Sequence, residues 1–210
     1  MKSNSRDWLA PLTGLGFIAV GILSFIIGGE PKSADDPARE IVAFYVDNKD
    51  SVQVGAIMSV AAGVLLVFFG AYLRDVLRSG RPEVEGLSLV AFMGFVVVAV
   101  GLAIDATILI AASEAADDIP AASLVALQAL WDNDFVPLAL GVELFLWGTG
   151  LAVVRTGVLP KWLGWLMIVL AIAGLTPIGF VAAIGSALLV LILSIWLSLR
   201  ARGPAAPATQ

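Results

Sequence analysis

The chain has 210 residues, of which 60% are hydrophobic and only 14% charged, with a formal net charge of −5 and a mean hydropathy of +0.97. A soluble domain of this length would be about half apolar and a quarter charged, so the composition is that of a membrane protein. The absence of Cys and His excludes disulfides, thiolate nucleophiles, imidazole or thiolate metal sites and His- or Cys-ligated haem. The negative charge argues against nucleic acid as a partner.

The apolar residues form long runs, each near the roughly 20 residues that a helix needs to cross the hydrocarbon core. The first run is 9–28, behind a short head carrying Lys2 and Arg6. Its length, and the lack of a small-residue cleavage site after it, predict a retained helix rather than a signal peptide. Residues 29–51 are polar. Asp36-Pro37 reads as a helix start, and Ile41, Val42, Phe44 and Tyr45 among charged residues predict a short amphipathic helix at 37–48. The second span is predicted at 52–73, followed by a charged loop, and the third at 87–112.

Residues 120–131 predict a second short helix. Joined to the next span, it would make one helix of about 50 Å, too long for a single crossing. The break belongs near Asp132-Asn133-Asp134, which sets the fourth span at 134–154. The fifth follows at 162–175, a tight turn at Thr176-Pro177-Ile178-Gly179 leads to the sixth at 180–199, and a disordered Pro/Ala-rich tail occupies 203–210. The expected fold is therefore all-α: one integral membrane domain over 1–210, a bundle of about six transmembrane helices with two short extracytoplasmic helices.

Nine basic residues (Lys2, Arg6, Arg74, Arg78, Arg81, Arg155, Lys161, Arg200, Arg202) fall on one side and three (Lys32, Arg39, Lys49) on the other. The positive-inside rule then places both termini in the cytoplasm, with the chain in the cytoplasmic (inner) cell membrane. The opposite face collects the acids of 30–50, 114–118 and 132–134. Trp8, Tyr72, Trp162, Trp165 and Trp196 fall near the inner interface, Tyr45 and Trp131 near the outer one.

Small residues recur on single helix faces: Gly55, Ser59, Gly63 and Gly70 in the second span, Gly94 and Gly101 in the third, Gly141 and Gly148 in the fourth. Such faces let helix backbones approach closely. Packing within the bundle is the first reading; a homo-oligomer seam through Gly55, Ser59 and Gly63 is the second.

Two ionisable residues lie deep in the predicted spans, Asp105 in the third and Glu143 in the fourth, at similar depth and with no Lys, Arg or His in any span. A carboxylate at mid-membrane costs about 2.5–3.5 kcal/mol even on the lenient insertion scale. Consecutive antiparallel helices are usually neighbours, so the two carboxyls are candidates to meet. If the helix ran on through 132–134, Asp132 and Asp134 would form an acidic mouth above Glu143. Asp105, Glu143, Asp132 and Asp134 are thus the candidate ion, proton or ligand site. Asp132, Asp134 and Glu143 also match positions 1, 3 and 12 of a calcium loop, but Val136 and Pro137 occupy positions that need a polar ligand and Gly, so no metal site is expected. No cofactor is expected either.

The stretches Glu40-Ile41-Val42-Ala43-Phe44-Tyr45, Ala71-Tyr72-Leu73-Arg74-Asp75-Val76-Leu77-Arg78 and Leu159-Pro160-Lys161-Trp162-Leu163-Gly164-Trp165-Leu166 resemble a broad group of uncharacterised bacterial six-helix membrane proteins. The resemblance implies a fold over nearly the whole chain and carries over no activity and no site residue. The sequence therefore predicts a non-catalytic bundle binding a lipid, an apolar molecule or a partner. A proton- or cation-coupled transporter using Asp105 and Glu143 is the alternative. A membrane-embedded enzyme ranks last, since no G-x-S-x-G elbow is present.

Overall fold

The computed structural model describes residues 9–79, 81–176 and 179–202. The basic head with Lys2 and Arg6 and the tail at 203–210, expected to be disordered, lie outside the described residues. The elements in order are α1 (Leu12–Gly28), α2 (Ala38–Asp47), α3 (Lys49–Arg78), a 3₁₀ turn (Pro82–Val84), α4 (Glu85–Ala115), α5 (Ala121–Asp132), α6 (Phe135–Thr156), α7 (Lys161–Gly174) and α8 (Phe180–Arg202). This is a helical membrane bundle. Four stretches have the length and apolarity to cross a membrane: Lys49–Arg78, Pro82–Ala115, the broken α5–α6 stretch Ala121–Thr156, and Val181–Ala201. The apolar helices α1 and α7 have 17 and 14 residues, or roughly 25 and 21 Å at 1.5 Å per residue, less than the ~30 Å of a hydrocarbon core.

Helices α1, α3, α4, α6 and α7 each pack on the next in that order, α7 packs on α8, and α8 returns to α1, which closes a ring. The closure is locked by Ser194 of α8. Its hydroxyl accepts from Leu15 N–H at 2.9 Å and donates to the Pro11 carbonyl. The middle of the ring is filled. Phe69, Phe95 and Phe145, from three different helices and at most 2% exposed, pack edge-to-face and tilted at centroid distances of 5.7 and 4.6 Å. Leu66, Leu73, Met167, Leu189 and Leu193 complete this core.

The small residues set the helix spacing. A Cβ on Gly141 would lie 2.6 Å from Val98 N and 2.7 Å from the Gly94 carbonyl, and one on Gly148 would meet the backbone of Ala91. On α3, Gly55 lies against the backbone of Gly28 in α1, and Gly63 against Ala99 in α4. The Gly55 and Gly63 approaches are therefore made inside the chain.

At one end of the ring, α2 and α5 pack on each other and on α4. Ile41, Tyr45, Val52, Ala112, Ala116 and Leu124 form a second small core there. At the opposite, basic end, Gly157 ends α6 in the left-handed conformation (φ 65°), and the Arg81 guanidinium donates to the Thr156 carbonyl. That places a cation on the negative end of the α6 dipole.

Candidate functional site

The capping layer is held by a chain of polar contacts that includes one of the sequence candidates. The Tyr45 hydroxyl donates to Gln128 Oε1 at 2.6 Å, and Gln128 Nε2 donates to Asp132 Oδ1 at 2.9 Å. Asp132 Oδ2 accepts from Ala34 N–H at 2.7 Å and from the Ser33 hydroxyl at 3.2 Å. Tyr45 and Gln128 are fully buried. Asp132 thus ties α5 to the 29–37 segment. Burial raises the Tyr45 phenol well above the ordinary tyrosine range, with the negative charges of Asp132 and Asp105 acting in the same sense.

Next to this chain, Asp105 of α4 stands between two cavities. One, of about 380 Å³, lies among α1, α3 and α4. It is lined by Phe17, Phe25, Leu102 and Leu109 together with small residues including Gly21, Ser24, Ala56 and Ser59. The other, of about 700 Å³, is polar, lined by Ser33, Asp35, Asp132, Asn133 and Asp134. Asp105 and Trp131 line both. Trp131 Nε1 is buried beside the Asp105 carboxyl without closing a well-formed hydrogen bond. Asp134 Oδ2 is likewise enclosed with no partner. The apolar cavity exists because α1 and α3 present short side chains to each other: Ser24 Oγ donates to the Gly55 carbonyl at 2.8 Å, and Gly21 has open space beside it.

Glu143 belongs to neither cavity. It lines a third, of about 600 Å³, with Phe135, Leu138, Ala139 and Val142 of α6, Gly174, Thr176 and Gly179 at the α7–α8 connection, and Ala182 and Ala183 of α8. A Cβ on Gly174 would overlap Glu143 Oε1. Oε2 is enclosed and unpartnered, and the Trp147 indole lies on the same side. The structure therefore does not bring Asp105 and Glu143 together. The reason is rotational. Glu143 follows Gly141 by two residues, about 200° around the helix, so it points away from α4. Ala139 and Gly150, four residues before and seven after it, share its face, but Gly150 packs on Gly164 of α7, not on α4.

The acidic mouth is displaced for a related reason. The helix breaks at Asn133 and Asp134, which lie near φ −116°, ψ 6° and φ −83°, ψ 9°. Asp132 and Asp134 consequently border the polar cavity over Asp105 rather than Glu143. Among the described residues, no group of three acids is placed to hold a metal ion. Of the hydroxyls that could have served the carboxyls, Thr107 and Thr176 bond carbonyls of their own segments, and Thr149 is buried with no partner.

Residues 12–201 match a family model described as Domain of unknown function (DUF4386). The chain belongs to this family. No curated protein and no solved structure matches it. The family match spans all the helices that frame the three cavities, so the site residues belong to the family domain rather than to an appended segment.

Trp131, Gln128, Tyr45 and Gly174 matter here as much as the acids. Gln128 stands four residues before Asp132, a spacing that puts both on one helix face. Nothing in the sequence pairs Tyr45 with it across 83 positions.

Proposed function

We propose that this protein is a non-catalytic binding bundle whose ligand is a small organic cation with an apolar body. The ligand passes from water through the acidic cavity at the α2–α5 end to the apolar cavity beside Asp105. The observation that carries this reading is the shared wall: Asp105 and Trp131 line both the polar and the apolar cavity. A carboxylate at this depth with no basic partner favours a cation. A tryptophan face adds cation–π attraction. Phe17, Phe25, Leu102 and Leu109 suit the apolar part, and about 380 Å³ falls in the usual range of ligand cavities, roughly 300–1,000 Å³. On the same reading the α2–α5 end is extracytoplasmic and both termini are cytoplasmic in the cell membrane, supported by the basic residues at the opposite end.

The test is equilibrium binding of benzyltrimethylammonium to the purified protein in nanodiscs, with neopentylbenzene as its uncharged isostere. Saturable binding of the cation alone, weakened at least tenfold by Asp105→Asn and by Trp131→Ala, is the expected result. Equal binding of the isostere, or indifference to Asp105→Asn, overturns the proposal.

A coupled transporter built on Asp105 and Glu143 has less support, because the two carboxyls open on different cavities and three phenyl rings fill the middle of the ring. Proton or cation flux in liposomes that is lost in Asp105→Asn with Glu143→Gln would restore it.

A further inference from the structure

Helix α7 stops short of the end of the bundle that α2 and α5 cover. Gly174, the last residue of α7, sits against Glu143, which is the ninth residue of α6. At 1.5 Å per residue the end of α7 therefore lies about 12 Å below the start of α6. Beyond Gly174, the first two turns of α6 lack the α7 neighbour that covers its other half. Phe135 is 59% exposed and Ala139 and Ala183 are also exposed, so the cavity around Glu143 opens sideways, toward lipid in a membrane.

We propose that this cleft is a second binding site, for a single-chain amphiphile with a protonated primary amine head entering from the bilayer. The ammonium pairs with the Glu143 carboxylate, and the alkyl chain lies along Phe135, Leu138 and Val142. Charge complementarity argues for this occupant. Glu143 Oε2 is enclosed without a well-formed hydrogen bond, the Trp147 indole lying beside the carboxyl, and the residues lining the cavity with it include no cation. Gly174 at the end of α7 and Gly179 just before α8 both line this cavity. The negative end of the α7 dipole favours the ammonium, and the positive end of α8 favours the carboxylate that faces it. The groove is otherwise apolar, and its open side meets acyl chains rather than water. This site is separate from the one at Asp105: the two cavities that Asp105 lines do not include Glu143.

The experiment is photolabelling of the full chain in phosphatidylcholine nanodiscs with a dodecylamine analogue carrying a diazirine in mid-chain, with the labelled peptides located by mass spectrometry. Expected is saturable labelling of the α6 segment 135–142 and of α8 near Ala183, competed by dodecylamine and not by dodecanol. Glu143→Gln is expected to reduce labelling at least tenfold. So is Ala183→Phe, which fills the cleft from an exposed position and leaves the acid in place. Asp105→Asn is expected to leave it unchanged. Circular dichroism and thermal unfolding establish that each variant folds. Equal competition by dodecanol would reduce the cleft to an apolar groove and overturn the proposal. Labelling that survives both cleft variants would overturn it as well, and loss with Asp105→Asn alone would assign the amine to the other site.

Discussion

Asn48 and Asn133 perform the same task at the two points where a capping helix turns into a long one: each side-chain amide donates to the carbonyl four residues earlier, Asn48 to Phe44 at 2.8 Å and Asn133 to Ala129 at 2.7 Å. Their backbones are also alike, near φ −118°, ψ 18° and φ −116°, ψ 6°. At Asn133 the side chain satisfies a carbonyl that the broken helix leaves open, whereas at Asn48 it is a second donor to the Phe44 carbonyl, which also accepts from Asn48 N–H at 3.0 Å. Alanine removes this bond and favours a continuous helix, which would swing α2 or α5 away from its partner. Asn133→Ala should lower stability by about 0.5–1.5 kcal/mol, and Asn48→Ala by less, since the Phe44 carbonyl keeps its backbone donor. Denaturant unfolding in mixed micelles measures this. Asn133→Ala should also disturb cation binding at Asp105, because Asn133 and Asp134 border that cavity, whereas Asn48→Ala should not.

The glycines of the α4–α6 contact should be the least replaceable residues of the bundle. A Cβ at Gly141 would meet backbone atoms of Gly94 and Val98, and one at Gly94 would meet the backbone of Gly141 and Phe145. Backbone cannot rotate aside as a flexible side chain does, so the helices must separate. Gly141→Ala and Gly94→Ala are expected to cost at least about 2–3 kcal/mol, the upper part of the range for overpacking. Gly21 and Gly86 have open space instead, and alanine there should be neutral or gain about 0.5–1 kcal/mol from reduced chain entropy. Similar losses at all four positions would show that the small residues do not set the helix spacing.

Long apolar runs and a length limit made the helices legible in the sequence. The break at Asn133-Asp134 followed from the fact that one helix over both segments would overshoot the bilayer, and the structure breaks there. Position along a helix was also readable, and Glu143 does lie on a small-residue face. Which helix that face meets was not readable. Helix α6 carries two small-residue faces, Gly141 and Gly148 toward α4 and Gly150 toward α7, and hydropathy gives no preference between them. The Tyr45–Gln128 bond was invisible for another reason. A polar pair between distant elements leaves no periodic trace, and Gln128 reads as an ordinary polar residue in an interfacial helix.

Ser194 inserts its hydroxyl between two groups that would otherwise bond each other in the first turn of α1, Leu15 N–H and the Pro11 carbonyl. This makes the two available substitutions unequal. In Ser194→Ala the two backbone groups can close their own i to i−4 bond, so the loss should be no more than about 1 kcal/mol. Ser194→Leu brings extra volume to a position with no exposed surface and pushes α8 from α1. It should cost about 1–3 kcal/mol, with faster proteolysis of the α1 end. Equal effects of the two variants would mean that the hydroxyl bridge, not the close fit, holds the ring shut.

The Tyr45 phenol gives the capping layer a definite pH dependence. Burial, reinforced by Asp132 and Asp105, raises it above the ordinary value, so the folded chain holds this proton more tightly than the unfolded chain does. Stability from this source is fully present below the unfolded value of about 10 and is lost as the pH climbs above it, where only the unfolded chain releases the proton. The wild type should therefore weaken progressively as the pH rises above about 10. Tyr45→Phe separates two effects. At neutral pH it leaves Gln128 Oε1 buried without its donor, a loss of about 1–3 kcal/mol. Above about pH 10 it lacks the titration, so the stability curves of the two proteins should converge. Tyr72, the other tyrosine of the chain, is common to both proteins and drops out of the difference. Unfolding midpoints measured across this range give the comparison, and parallel curves would show that the Tyr45 proton is not linked to the fold.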